Sequence, residues 1–175
     1  MVYAAIVLLL GLVALDQAVK YWTVLTFAAP MAGFTATSDP ALPGIPGLVE
    51  LTRIHNYGAA WSSFSGMRWA LVGVTSVMMI ILAVLLAKKI VRHPTGFWGL
   101  LLILAGGIGN LIDRVRLGYV VDMFNFQFMD FPVFNVADIC VCCGAALGAI
   151  YYLWFMKYDE KKETSDGNDS AASEQ

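Results

Sequence analysis

Charged residues are scarce in this chain of 175 residues, of which 14% are charged and 59% hydrophobic. A water-soluble domain of this size with so few charges would expose too much apolar surface, so the composition indicates a protein of the lipid bilayer. The 11 Lys and Arg residues are spread thinly and form no basic stripe. We therefore expect no nucleic-acid partner.

Cysteine and histidine are also scarce, which limits redox and metal chemistry. Cys140, Cys142 and Cys143 lie together in an apolar run, unlike the dispersed cysteines of a disulfide framework. Cys140 and Cys143 form a C-x-x-C pair, but no second Cys/His pair accompanies them, so apolar packing is favoured over a redox or metal role. There is no H-E-x-x-H motif, and His55 and His93 fall on opposite sides of the membrane in the topology below. We expect no metal and no other cofactor.

Four apolar runs are long enough to cross a bilayer about 30 Å thick, which needs about 20 helical residues. They cover residues 2–27, 69–87, 96–112 and 134–156. Because the bilayer core offers no water to backbone polar groups, each run is predicted to be a helix. Gly106, Gly107 and Gly109 in the third run would let a neighbouring helix approach closely.

These runs define one membrane domain, residues 1–156, followed by a polar tail of low complexity. The tail, residues 157–175, is expected to be disordered. The first run lacks a basic start and a small-residue cleavage site, so we interpret it as a retained span rather than a cleaved signal peptide.

Basic residues predict the orientation of the spans. The segments that join spans two and three and follow span four are the more basic ones, with Lys88, Lys89, Arg92, Lys157, Lys161 and Lys162. The two other loops are much longer and hold Arg53, Arg68, Arg114 and Arg116. The positive-inside rule therefore places both termini in the cytoplasm.

Polar side chains are costly inside a membrane, yet several converge at the outer end of the predicted bundle. At a rise of about 1.5 Å per residue, Asp16 and Asn110 both lie about 20 Å from the inner ends of their spans. The side chains predicted to meet at this depth are Asp16, Lys20, Asn110, Asp113, Arg114, Asn135 and Asp138. Asp122 lies in the outer loop that leads into the fourth span.

Some of these charges have a structural explanation. Asp16 with Lys20, and Asp113 with Arg114, could simply neutralise each other. Asp122 and Asp138 have no cation at helical spacing, which favours a chemical role. Two facing carboxylates can share one proton, so that one activates water while the other polarises a peptide carbonyl.

Two other functions stay open on the residues alone. Ser62, Ser63 or Ser65 could form a Ser-Lys dyad with Lys20, although a polar linker also explains these serines. A transporter could use Asp16 and Asp138 as a proton relay, although four spans with long outer loops leave a small translocation path.

The two outer loops carry strand-like segments. GLVELTRIHNYGAAW in the first is rich in strand-forming residues, and GYVVDMFNFQFMDF in the second alternates aromatic with other side chains. We predict that Asp122 lies on a strand that leads to the fourth span and faces Asp138. The first outer loop, with its glycines and prolines, is expected to supply the cradle and a moving lid.

Four segments, in this order, resemble bacterial lipoprotein signal peptidases. They are LDQAVKYW (15–22), NYGAAWS (56–62), GGIGNLIDRVRLGYVVDMF (106–124) and FNVADICV (134–141). Two apolar substitutions depart from the family pattern, since Trp61 and Met123 stand where Phe is usual.

The resemblance implies an all-α membrane protein of four transmembrane helices with a small extracytoplasmic β-cradle. It implies a catalytic pair, Asp122 and Asp138. The supporting residues that it implies are Asp16, Lys20, Asn56, Gly58, Asn110, Asp113, Arg114 and Asn135. The expected substrate is a prolipoprotein cut just before its diacylglyceryl-cysteine, by a monomer of the bacterial inner membrane whose site lies beside the outer leaflet.

Overall fold

The computed structural model describes residues 2–30, 37–38, 44–58 and 63–155. Four helices dominate it: α1 (Val2–Thr26), α2 (Arg68–Ala87), α3 (Pro94–Arg116) and α4 (Val136–Ile150), the last continuing as a π-helical turn over Tyr151–Phe155. All four are long and apolar enough to cross a membrane, which confirms the predicted four-span fold. The third span is longer than predicted at both ends. The polar tail lies outside the described residues.

Helix α3 forms the centre of the bundle and contacts the other three helices. Its glycines explain how closely α4 approaches, because a Cβ at Gly106 would collide with the Ala137 carbonyl oxygen. Helix α4 also has a glycine at this contact, since a Cβ at Gly144 would lie 2.6 Å from the Gly99 carbonyl oxygen of α3. Small residues on both helices thus bring the start of α4 against the outer half of α3.

The outer loops form a small antiparallel sheet of strands β1 (Thr37–Ser38), β2 (Val49–Asn56) and β3 (Val120–Phe126), in that order. The two longer strands lie within the segments predicted to be strands. Ile54 pairs with Asp122, and an irregularity in register separates this pair from Leu51. A bridge between Phe124 and Phe134 holds the end of β3 against the segment that leads into α4.

Two expectations for the outer loops concern residues that the structure does not describe. Residues 31–36 and 39–43 of the loop predicted to supply the lid, and Trp61 with Ser62, lie outside the described ranges. Met123 is described and is 0% exposed. This departure from the family pattern therefore faces the protein interior, where an apolar substitution changes packing rather than the surface.

Candidate active site

The start of α4 places Asp138 at the centre of the site. Asn135 is the N-cap, and its side-chain oxygen accepts a hydrogen bond from the Asp138 N–H at 3.0 Å. Asp138 Oδ2 in turn accepts from the Asn135 N–H at 3.1 Å. This reciprocal capping box fixes the carboxylate in the first turn, where the helix N-terminus stabilises negative charge.

Two asparagines connect Asp138 to Asp122. Asn135 Nδ2 donates to Asp122 Oδ1 at 2.6 Å and to Asn110 Oδ1 at 3.1 Å. Asn110 Nδ2 donates to Asp138 Oδ1 at 2.8 Å. The predicted pair therefore meets in one network, although its members come from β3 and α4.

Asp122 is almost completely buried, with 2% of its surface exposed. Its second oxygen accepts from Asn56 Nδ2 at 3.0 Å, so β2 supplies another amide to the site. Burial, and next the negative charge of Asp138, raise the pKa of Asp122 from 3.8 to about 7. Near neutral pH this carboxyl can therefore carry the proton of the pair.

Below the pair lies a buried cluster centred on Lys20. Its Nζ lies 3.0 Å from Asp16 Oδ2, 3.1 Å from Asp113 Oδ2 and 2.9 Å from Asn110 Oδ1. The Asp16–Lys20 pairing is as predicted. Asp113, in contrast, pairs with Lys20 rather than with Arg114, because the helical spacing turns its side chain towards α1.

The carboxylates of this cluster also hold the backbone of two other elements. Asp16 Oδ1 accepts from the Ala137 N–H at 2.9 Å, which joins α1 to the first turn of α4. Asp113 Oδ2 accepts from the Val121 N–H at 3.1 Å, which joins α3 to β3. The cluster thus positions the segments that carry Asp138 and Asp122.

Arg114 and Gly58 meet on the other side of the site. Arg114 Nη2 donates to the Gly58 carbonyl oxygen at 2.8 Å, and the Gly58 N–H donates to Asn56 Oδ1 at 3.0 Å. The side-chain nitrogen and oxygen of Asn56 are therefore both engaged within the protein. Asn56 therefore positions Asp122.

A cavity of about 710 Å³ opens above the pair. Asp122, Asp138, Asn56, Asn110 and Arg114 form its polar wall. Its apolar wall consists of Phe126, Phe131, Pro132, Val133, Phe134, Ile139, Val141, Cys142 and Cys143, among others. A narrow polar strip beside a broad apolar surface suits an apolar ligand with one reactive polar group.

The Ser-Lys alternative loses its support in this geometry. Lys20 is 3% exposed and is engaged by two carboxylates and an amide. Ser63 and Ser65 are exposed in a turn, and Ser62 lies outside the described residues. A nucleophilic dyad requires a lysine within hydrogen-bond reach of the serine, and Lys20 is committed elsewhere.

Two contributing residues were not singled out from the sequence. Gln17 Nε2 donates to Asp113 Oδ1 at 3.0 Å and to the Gly109 carbonyl at 3.2 Å. Arg53, 7% exposed, donates to the carbonyls of Val24 and Phe27 at 3.1 and 3.0 Å. A cation that caps a helix C-terminus is a favourable contact, but the separation in sequence conceals it.

Arg53 also sets the environment of His55, its neighbour on β2. Arg53 Nε donates to His55 Nε2 at 3.2 Å, and the imidazole stacks on Tyr119 with ring centroids 3.9 Å apart. Burial, and next the charge of Arg53, lower the pKa of His55. A neutral His55 keeps this contact, which anchors the strand that carries Asn56 to the end of α1.

The fold and site together define a polytopic membrane enzyme. A solved structure described as a bacterial membrane enzyme, determined by the in meso method at 2.3 Å resolution, superposes with a TM-score of 0.76. The two chains are 30% identical, and the match covers 87% of this chain and 89% of the other.

Sequence comparison then gives the particular family. Residues 8–155 match the family model for signal peptidase (SPase) II. The lipoprotein signal peptidase of Lactococcus lactis subsp. cremoris (strain MG1363) is 44% identical over 79% of this chain and 85% of its own length. The lipoprotein signal peptidase of Enterococcus faecalis (strain ATCC 700802 / V583) is 41% identical over 89% of this chain and 90% of its own length. The chain belongs to the signal peptidase II family, as its motifs predicted, and is a multi-pass membrane peptidase.

Proposed function

We propose that this chain is an aspartyl endopeptidase that removes signal peptides from diacylglyceryl-modified prolipoproteins, cutting just before the lipidated cysteine. The observation that carries the proposal is the pair Asp122 and Asp138, joined through Asn110 and Asn135 on one wall of the cavity. Family membership supplies the peptidase activity, and the paired carboxylates supply a means of hydrolysis that needs no metal or covalent intermediate.

The two carboxyl groups take different roles in this mechanism. Asp122, whose pKa is raised to about 7, carries the shared proton and donates a hydrogen bond to the scissile carbonyl. Asp138 accepts a proton from water, and the resulting hydroxide attacks the carbonyl carbon. As the tetrahedral intermediate collapses, Asp138 returns that proton to the leaving amine of the lipidated cysteine.

The supporting residues keep this geometry. Asn135 and Asn56 hold opposite oxygens of Asp122, and Asn110 holds Asp138. Positioning of this kind matters because a displacement of about 1 Å can cost about 100-fold in rate. The Lys20 cluster supports the same groups from below.

The apolar wall of the cavity fits the lipid part of the substrate. Ile139 and Val141 lie on α4, while Phe126, Phe131 and Phe134 come from the second outer loop. Acyl chains from the bilayer would lie along such a surface while the peptide bond lies against the carboxylates. The positive-inside rule places this end of the bundle at the outer leaflet.

A cleavage assay tests the proposal with purified protein and a diacylated lipobox peptide. Wild-type protein should cleave it and leave the unlipidated peptide largely intact. Asp122→Asn and Asp138→Asn should each abolish cleavage while the protein still inserts and folds, because an amide cannot exchange the proton. Ser63→Ala and Ser65→Ala should stay active, and chelators should have no effect.

Three results would contradict this account. Equal cleavage of both peptides would remove lipid recognition. Activity that survives in either Asn variant but disappears in a serine variant would favour the Ser-Lys mechanism. Absence of cleavage together with measurable solute flux through reconstituted protein would favour the transporter.

A further inference from the structure

A second cavity, of about 650 Å³, lies at the end of the bundle opposite to the candidate active site. It is formed by the first part of α1, the last part of α2, the start of α3 and the segment that joins α2 to α3. Its lining residues are Ala5, Ile6, Leu9, Ala83, Leu86, Ala87, Lys89, Val91, Arg92, Phe97, Leu101 and Leu104. The positive-inside rule assigns this end to the cytoplasm.

The shape of this groove suits a single acyl chain. Helices α1 and α2 both pack on α3 and leave a gap between them, so α3 forms the floor. Leu101 and Leu104 on that floor are almost fully buried, whereas Ile6 on α1 and Ala83 on α2 form exposed walls of the groove. Because Ile6 and Ala83 are exposed, lipid reaches the groove in a bilayer, and an empty apolar groove there would forfeit packing contacts.

Two cations stand at the end of the groove. Lys89 has the unusual φ of 51° and ends α2 in a Schellman-type motif, with its N–H bonded to the Leu86 carbonyl and the Ile90 N–H bonded to the Leu85 carbonyl. This motif fixes the backbone of Lys89 beside the groove. Arg92 follows just before α3 and is exposed. None of the described residues that line the groove is acidic.

We propose that this groove binds an anionic phospholipid, with the phosphate against Lys89 and Arg92 and one acyl chain between Ile6 of α1 and Ala83 of α2. Basic pockets between membrane helices on the cytoplasmic side bind anionic headgroups. The apolar floor supplies few polar partners for a peptide backbone, which favours a lipid over a peptide. This site is separate from the substrate cavity, and the proposal does not depend on the cleavage mechanism.

Thermal unfolding of the full chain in neutral detergent tests the proposal. Phosphatidylglycerol at saturation should raise the Tm by about 5 °C, because a ligand that binds only the folded state stabilises it. Phosphatidylcholine with the same acyl chains should give a much smaller rise. Soluble glycerol phosphate should also have little effect, because it lacks the chain.

Variants assign the effect to the groove. Lys89→Gln combined with Arg92→Gln should abolish the rise, whereas Lys88→Gln, which removes a neighbouring charge outside the groove, should retain it. Ala83→Trp, which fills the groove and keeps both cations, should also abolish it. Equal stabilisation by phosphatidylcholine, equal loss in Lys88→Gln, or a full effect of glycerol phosphate would each overturn the proposal.

Discussion

Helices α2 and α3 differ in how much of each is buried, and mean hydropathy taken alone would predict the opposite order. The most apolar stretch of α2 has a mean hydropathy of 2.7, yet only 6% of it is buried inside the protein. The corresponding stretch of α3 has a mean hydropathy of 1.7, and 44% of it is buried. In a bilayer the more apolar helix is the one that faces lipid, because the small and polar residues that lower hydropathy make contacts between helices.

The buried contacts of α3 explain why it lies inside the bundle while α2 faces lipid. The side-chain oxygen of Asn110 accepts hydrogen bonds from Lys20 on α1 and from Asn135 at the start of α4. Its side-chain nitrogen donates to Asp138. Asp113 holds the backbone of β3 through Val121. Helix α3 therefore positions α1, β3 and the start of α4 relative to one another. Helix α2 contributes mainly an apolar surface that faces lipid.

The sharpest test of this comparison is Asn110→Ala on α3. The change removes the hydrogen bonds to Lys20, Asn135 and Asp138, so cleavage should fall by at least about 100-fold. Thr75→Val, a polar-to-apolar change on α2, should change cleavage by less than about 3-fold. If the two variants lose equal activity, α3 is not the centre of the site.

Glycine substitutions test packing rather than chemistry. At Gly106 of α3 an added Cβ collides with the Ala137 carbonyl, whereas at Gly73 of α2 nothing lies within 4 Å of it. Gly106→Ala should therefore cost about 1–3 kcal/mol of stability, and Gly73→Ala about 0.5 kcal/mol or less. Thermal unfolding of the two proteins in the same detergent measures the difference, and equal Tm values would contradict the comparison.

The two helices also differ in charge, because α2 has no acidic residue whereas α3 packs against β3, the strand that carries Asp122. The pKa of Asp122 rises from 3.8 to about 7 on folding. Across that window the folded protein keeps a proton that the unfolded chain has released, so stability falls as pH rises. Asp122→Asn removes this dependence and should be more stabilising, relative to wild type, at about pH 8 than at about pH 5.

The same proton gives a prediction for catalysis. If Asp122 must be protonated to polarise the carbonyl, wild-type cleavage should decline as the pH rises past about 7. Initial rates at saturating lipidated peptide measure this decline. A rate that stays constant up to about pH 9 would contradict the acid role of Asp122, provided that the protein remains folded.

The smallest effect is expected where α2 does contact α3 through polar groups. Arg68 Nε donates to the Arg114 carbonyl at 2.8 Å, and its Nη2 donates to the Val115 carbonyl at 2.7 Å. Arg68→Gln should cost about 1 kcal/mol and leave most activity. Arg116→Gln, which removes an exposed charge at the same end of α3, is the control, and an equal loss there would assign the effect to net charge.

Much of this organisation could be predicted from the sequence, because it depends on the composition of single segments or on how deep a residue lies in the membrane. Hydropathy predicted four spans. Counting residues from the inner ends placed Asp16 and Asn110 at one depth, and Asp138 was predicted to meet them because it lies near the outer start of the fourth span. The strands around His55 and Asp122 followed from their composition.

The partners of individual side chains could not be predicted in the same way. Asp113 was grouped with its neighbour Arg114 but pairs with Lys20, and Asn56 on one strand donates to Asp122 on another. Arg53 contacts the end of α1 from a distant strand. Such contacts depend on helix rotation and strand register, which no single segment of the sequence specifies.

The capping box of α4 has a consequence for synthesis of the protein. Asn135 and Asp138 belong to the last helix, and Asn135 bridges to Asp122 only once that helix starts. A nascent chain that has inserted three spans therefore has Asp122 and its partner Asn56, but neither Asp138 nor Asn135. The hydrogen-bond network that joins Asp122 to Asp138 is therefore complete only when the final span is in place.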